Sequence, residues 1–204
     1  MCSFKRNSMA NVLLLAALLA FTTGCSQQVT RLETNEVTDL SGKWNDTDSG
    51  LVSREMVSDV LSRRWLSDFN REKSRAPTVI VGAVRNLSHE HINTRTFIND
   101  LEKELINSGE VQFVASAAER DEIRSERRDQ DLNASENTRK EMGNETGADF
   151  MLKGSINTIV DAVSGSQARF YQIDLTLIDM RTNRKVWLGQ KKIKKQIDKS
   201  SWRF

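Results

Sequence analysis

From residue 150 onward the chain alternates apolar and polar side chains, and this alternation limits what it can fold into more than any other feature. Phe150, Leu152, Gly154 and Ile156 fall on one side. After a turn at Ser164-Gly165, Tyr171, Ile173, Leu175 and Leu177 repeat the pattern. Arg181-Thr182-Asn183-Arg184 makes a second tight turn, and Lys185–Lys195 returns as a last strand. Side chains on a strand point to opposite faces in succession, so three such segments with short turns between them read as an antiparallel meander. One face of that meander is apolar and needs a cover.

The preceding segments supply it. Val57, Leu61, Trp65 and Phe69 recur every four residues, beside Val52, Met56 and Val60, as the core stripe of an amphipathic helix near 50–69. Asp46, Thr47, Asp48 and Ser49 offer N-caps for it. Pro77 opens a strand, and the unbroken apolar run Val79–Val84 predicts a central strand covered on both faces. Thr94 offers a cap for a second helix with the stripe Phe97, Leu101 and Leu105, which Gly109 ends. Val111–Val114 is a short strand, residues 116–131 are charged and helix-favouring, and Ser135 starts a further helix that stops near Gly147. The order α-β-α-β-α-α-β-β-β gives an α+β (α/β sandwich) fold: one mixed sheet with a C-terminal three-strand meander and helices packed on it.

The start of the chain reads as an address. Lys5 and Arg6 precede a ten-residue apolar run, Val12–Phe21. That run is too short to span a bilayer, which takes about 20 residues, and it fits a signal-peptide core behind a positive flank. Met9 is an alternative start that would omit both cations. Thr22-Thr23-Gly24-Cys25 resembles a lipobox, although its third residue before the cysteine is Thr22 where Leu is preferred. The resemblance implies cleavage after Gly24 and lipidation of Cys25. Cys2 leaves with the signal, so Cys25 has no partner for a disulfide, and lipidation accounts for an unpaired cysteine in an exported protein. Ser26 in place of Asp implies, by resemblance to enterobacterial sorting, the outer membrane.

The organisation expected is therefore a signal peptide at 1–24, a lipidated N-terminus and flexible tether at 25–49, a globular domain at 50–197 and a tail at 198–204. Twenty-odd flexible residues have an r.m.s. span of roughly 25–30 Å and reach about 80 Å when fully extended.

Composition narrows the function. Lys and Arg number 30 against 28 Asp and Glu. Without Lys5 and Arg6 the balance is 28 to 28, formally zero, which argues against a nucleic-acid partner. The chain has no G-x-S-x-G, no Walker loop and no G-x-G-x-x-G. Each acidic cluster is interleaved with Arg or Lys, as on solvated helical faces. His89-Glu90-His91 could face a metal from one strand, but a zinc ion would need two more ligands from carboxylates. A solvated loop is the reading kept. No catalytic residue, cofactor, metal or small-molecule substrate is expected.

Two charged features suit binding. Lys191, Lys192, Lys194 and Lys195 crowd the last strand. Lysines there protect a sheet edge or meet an acidic partner or anionic headgroups. The alternative is the 116–131 helix, through Arg124 and Arg128.

Four segments resemble the LpoB-type lipoproteins that activate bifunctional penicillin-binding proteins: Ser41–Asp48, Ile106–Gly109, Gly147–Ile156 and Leu175–Lys195. The Gly147-Ala148-Asp149-Phe150…Gly154-Ser155 segment is also similar to the wider group of the curli-secretion lipoprotein and the TolB N-terminal domain. The resemblance spans about 41–195. It implies an outer-membrane lipoprotein, held by its lipid and facing the periplasm, that docks on a penicillin-binding protein and stimulates it. The family's enterobacterial members carry a long Pro-rich tether, whereas this tether holds no proline. Contact then requires the synthase's periplasmic modules to reach outward. The wider resemblance leaves a second function open, in envelope assembly or secretion.

Overall fold

The computed structural model describes residues 30–33, 36–140, 143 and 145–198. Cys25 and the segment before it lie outside the described residues. The chain divides into Met1–Glu36 and Val37–Phe204. In the first unit Glu36 N donates to Glu33 O at 3.1 Å.

The second unit runs α1 (Asp46–Leu61), α2 (Arg64–Lys73), β1 (Thr78–Asn86), α3 (Thr94–Ser108), β2 (Gln112–Phe113), α4 (Ala117–Asn133), β3 (Phe150–Val163), β4 (Ser166–Asp179) and β5 (Lys185–Asp198). The five strands form one mixed sheet in the order β2-β1-β3-β4-β5. β1 pairs in parallel with β2 and β3. The β3–β4 and β4–β5 pairs are antiparallel. This is the α+β architecture expected, including the C-terminal meander.

The alternation in the sequence becomes a division between two faces. Phe150, Leu152, Ile156, Tyr171, Ile173, Leu175, Leu177 and Trp187 are buried under the helices. Val52, Met56, Val57 and Val60 of α1 and Phe97, Leu101 and Leu105 of α3 close over them. The residues between stand on the other face, which no helix of the described residues covers.

Four expectations change. The helix caps are Asn45 and Asn93, in place of Asp46–Ser49 and Thr94. The stripe at 57–69 is carried by two helices. α1 ends at Leu61, Arg63 is extended, and α2 starts at Arg64. The Trp65 indole turns back to donate to the Val60 carbonyl at 2.7 Å. The bend lays Trp65 and Phe69 edge-on against Phe150, with centroids 4.9 and 5.3 Å away. The helix expected from Ser135 to Gly147 is absent among the described residues, where 136–138 form a turn. That stretch has a single apolar residue, Met142, so it has no stripe to bury. β1 is covered on one face: Val79, Val81 and Val84 are buried, while Ala83 and Arg85 are exposed. A bulge between Val81 and Val84 keeps both on the core side.

The motif residues at 147–156 hold the sheet together. Arg75 donates two parallel bonds of 2.8 Å to the Asp149 carboxylate, which also accepts Thr78 N–H at 2.8 Å. Burial pushes that carboxyl up, but the Arg75 guanidinium and the Thr78 N–H outweigh it and hold the pKa below the usual carboxylate range.

Candidate docking surface

The segment 39–48 is fastened to the end of the sheet by a buried ionic cluster, with a part-buried second cluster beside it. Asn45 caps α1 in a capping box with Asp48. The same Asp48 carboxylate accepts a 2.6 Å bond from Lys195 Nζ, which also donates to Asp39 at 2.9 Å and to the Lys43 carbonyl at 3.1 Å. The Lys195 and Asp48 side chains are each 8% exposed. Beside them, Arg169 stands opposite Lys195 in the ladder and donates to Glu90 at 2.6 Å. Tyr171 OH donates to the Glu90 carboxylate at 2.9 Å. Trp44 packs edge-on against Phe97 and Tyr171, with centroids 6.0 and 5.7 Å away.

Burial, and then the adjoining Glu90 carboxylate, push the Tyr171 pKa up to about 12. It is the chain's one tyrosine, so tyrosinate absorbance reports it alone. In the folded protein that absorbance should rise near pH 12, and in denaturant it should return to the ordinary value near 10. Between those values the folded chain holds a proton the unfolded chain has lost, so stability falls as pH rises. A folded-state midpoint near 10 would contradict the buried contact.

The lysine run divides by parity. Lys191, Ile193 and Lys195 point toward the helices. Ile193 packs against the core, and Lys191 Nζ reaches Glu55 Oε1 of α1 at 2.7 Å. Lys195 therefore does not belong to the exposed face. Lys192 and Lys194 stand on the uncovered face, opposite Gln172 and Phe170 of β4, and Lys192 Nζ lies 5.9 Å from the Phe170 ring centre. Across β3 and β4 the same face carries Lys153, Ser155, Asn157, Asp174 and Thr176. Met151, Ile159, Phe170, Ile178 and Leu188 stand on it too, so the face is mixed, with cations along the β5 side.

Arg124 and Arg128 lie apart from it on α4, which buries no residue. Arg124 pairs with Glu145 at 2.7 Å and Asp121 at 2.8 Å, so its charge is already matched, and Arg128 is exposed. His89 and His91 are exposed in the loop after β1. The residue between them, Glu90, was not legible as functional. Its partners Arg169 and Tyr171 lie 79 and 81 residues away.

A cleft of 680 Å³ opens between α2 and the β4–β5 turn, lined by Arg64, Phe69, Asp149, Arg181 and Arg184 among others. A smaller groove runs between α1 and β5.

The described residues thus present an uncovered sheet face beside a lysine-bearing edge strand. The family model described as peptidoglycan-synthase activator LpoB matches residues 48–193, and the chain belongs to the LpoB family. The LpoB C-terminal domain from Escherichia coli is 18% identical, with 72% of this chain and 98% of that chain covered at a TM-score of 0.43. The NMR structure of E. coli LpoB is 15% identical, covering 86% and 85% at 0.42. Lipoprotein GNA1162 from Neisseria meningitidis is 13% identical, covering 63% and 88% at 0.40. No curated protein matches this chain.

Proposed function

We propose that this chain is an outer-membrane lipoprotein that faces the periplasm, binds a bifunctional penicillin-binding protein and activates it without catalysing a reaction itself. The observation that carries the reading is the family match over 48–193. Lys192 and Lys194, on an uncovered sheet face, are its docking cations, with Lys191 at the rim. Rim charges mainly set on-rate and salt dependence, with a Debye length near 8 Å at physiological ionic strength.

Crosslinking in cells followed by purification of the protein should recover a penicillin-binding protein. Recovery of self-oligomers or secretion components alone would sink the proposal. Lys192→Glu with Lys194→Glu should weaken that capture about tenfold or more at low salt and less at high salt. Both side chains leave the core, so the fold should persist. Arg124→Glu with Arg128→Glu is the matched control on α4, and a greater loss there would move the docking site.

The anchor is Cys25. Several acyl chains at one site hold a protein stably, since each buried CH₂ contributes about 0.8 kcal/mol. Cys25→Ser should release the protein into the soluble periplasmic fraction. Persistent fractionation with the outer membrane, with no acyl chains in the wild-type mass spectrum, would refute the anchor.

A further inference from the structure

We propose that β5 and α1 together form a peptide groove, in which an extended acidic segment of the partner adds to the sheet as a sixth strand. This rests on the reading of a protein partner above and specifies how that partner is held. Three separate observations carry it.

The first is the edge itself. β5 is a 14-residue strand that pairs with β4 on one side and ends the sheet order. Among the described residues no backbone hydrogen bond from another segment reaches its outer side. Half of its N–H and C=O groups therefore point outward as a template for another strand.

The second is the groove of 310 Å³ beside that edge. Its lining comes from α1, β5 and Arg63 at the bend after α1, and includes Glu55, Met56, Asp59, Trp187 and Gly189; Glu55 and Asp59 are already paired with Lys191 and Arg63. Gly189 is required by local packing: a Cβ there would fall onto the Trp187 ring and 3.0 Å from Met56 Cε. The indole occupies the space above the glycine and is held by an Nε1 bond of 2.8 Å to Asp59. The result is an apolar floor next to an open strand, flanked by a helix. Peptides that add to sheets gain affinity from main-chain bonds and selectivity from pockets for alternate side chains.

The third is charge. On the uncovered face, an added strand would run alongside Leu188, Gln190, Lys192 and Lys194. Alternate residues of that strand face the groove and suit an apolar side chain, while those between meet the lysines and suit a carboxylate. A second copy of this chain paired about Ile193 fits badly. Two β5 edges pairing about Ile193 set Lys192 of each against Lys194 of the other, and like charges directly opposed in a ladder are destabilising.

The test uses the purified protein and two synthetic peptides, one of alternating glutamate and valine and one of alternating lysine and valine. The glutamate peptide should bind at least tenfold more tightly and slow hydrogen exchange at amides of 187–194. The variant Lys192→Glu/Lys194→Glu should reverse the preference. Equal binding of the two peptides, or binding that leaves the β5 amides unprotected, overturns the groove. If a synthase is captured from cells while the glutamate peptide leaves β5 unprotected, the groove falls and the activator reading stands. If the peptide protects β5 and no synthase is captured, the groove stands and that reading falls.

Discussion

Lys195→Met should lower the unfolding free energy of the domain by about 3–5 kcal/mol, the usual cost of leaving one member of a buried ion pair uncompensated. Lys195 Nζ satisfies Asp48 at 2.6 Å and Asp39 at 2.9 Å. Removing it leaves the Asp48 carboxylate buried with its N-cap contact alone, the Asn45 N–H at 3.0 Å. For a chain of this size about 1 kcal/mol shifts Tm by roughly 2–4 °C, so the melt should move down by about 6–20 °C. Adding Asp48→Asn should recover much of the loss, because the stranded charge goes while the cap oxygen stays. Lys192→Met, on the uncovered face, should stay within about 0.5 kcal/mol of wild type. A Lys195→Met melt within about 3 °C of wild type would mean that segment 39–48 is not fastened there.

Gly154→Val should have a comparable effect through packing. Gly154 lies in the middle of the sheet, opposite Val84 of β1 and Leu175 of β4. A Cβ there would fall onto the backbone carbonyl oxygen of Asp174 and within 2.6 Å of Leu175 Cδ2. The backbone cannot yield as a flexible side chain can, so the strands must separate. The loss should reach the upper end of the about 1–3 kcal/mol typical of overpacking, or exceed it. Urea denaturation reads it as a lower midpoint. Gly147→Ala is the control, since a Cβ at Gly147 meets nothing within 4 Å, and its midpoint should stay near wild type.

The sheet was legible because its signal is local. A period of two over Phe150–Ile156 and Tyr171–Leu177 needs no knowledge of distant partners. The two helices at 46–73 were not separable, because the four-residue spacing from Val57 to Phe69 continues across the bend. The break is made by the Trp65 indole reaching the Val60 carbonyl, a contact the spacing does not encode. The docking lysines were half legible. Ile193 between Lys191 and Lys195 already signals that these three share the core side, and Lys192 and Lys194 take the other by alternation. Reading the run as one charged edge merged two faces with different roles. Glu90 was hidden for another reason: a half-buried carboxylate in a polar loop is distinguished only by the arginine and tyrosine that meet it from β4.

Activation would show in the rate at which a purified bifunctional penicillin-binding protein from the same cell polymerises glycan chains. Added at saturating concentration, this protein should raise that rate severalfold, and the Lys192→Glu/Lys194→Glu variant should need a markedly higher concentration to reach the same rate. An unchanged rate at saturation, with no binding to the synthase, would contradict the account.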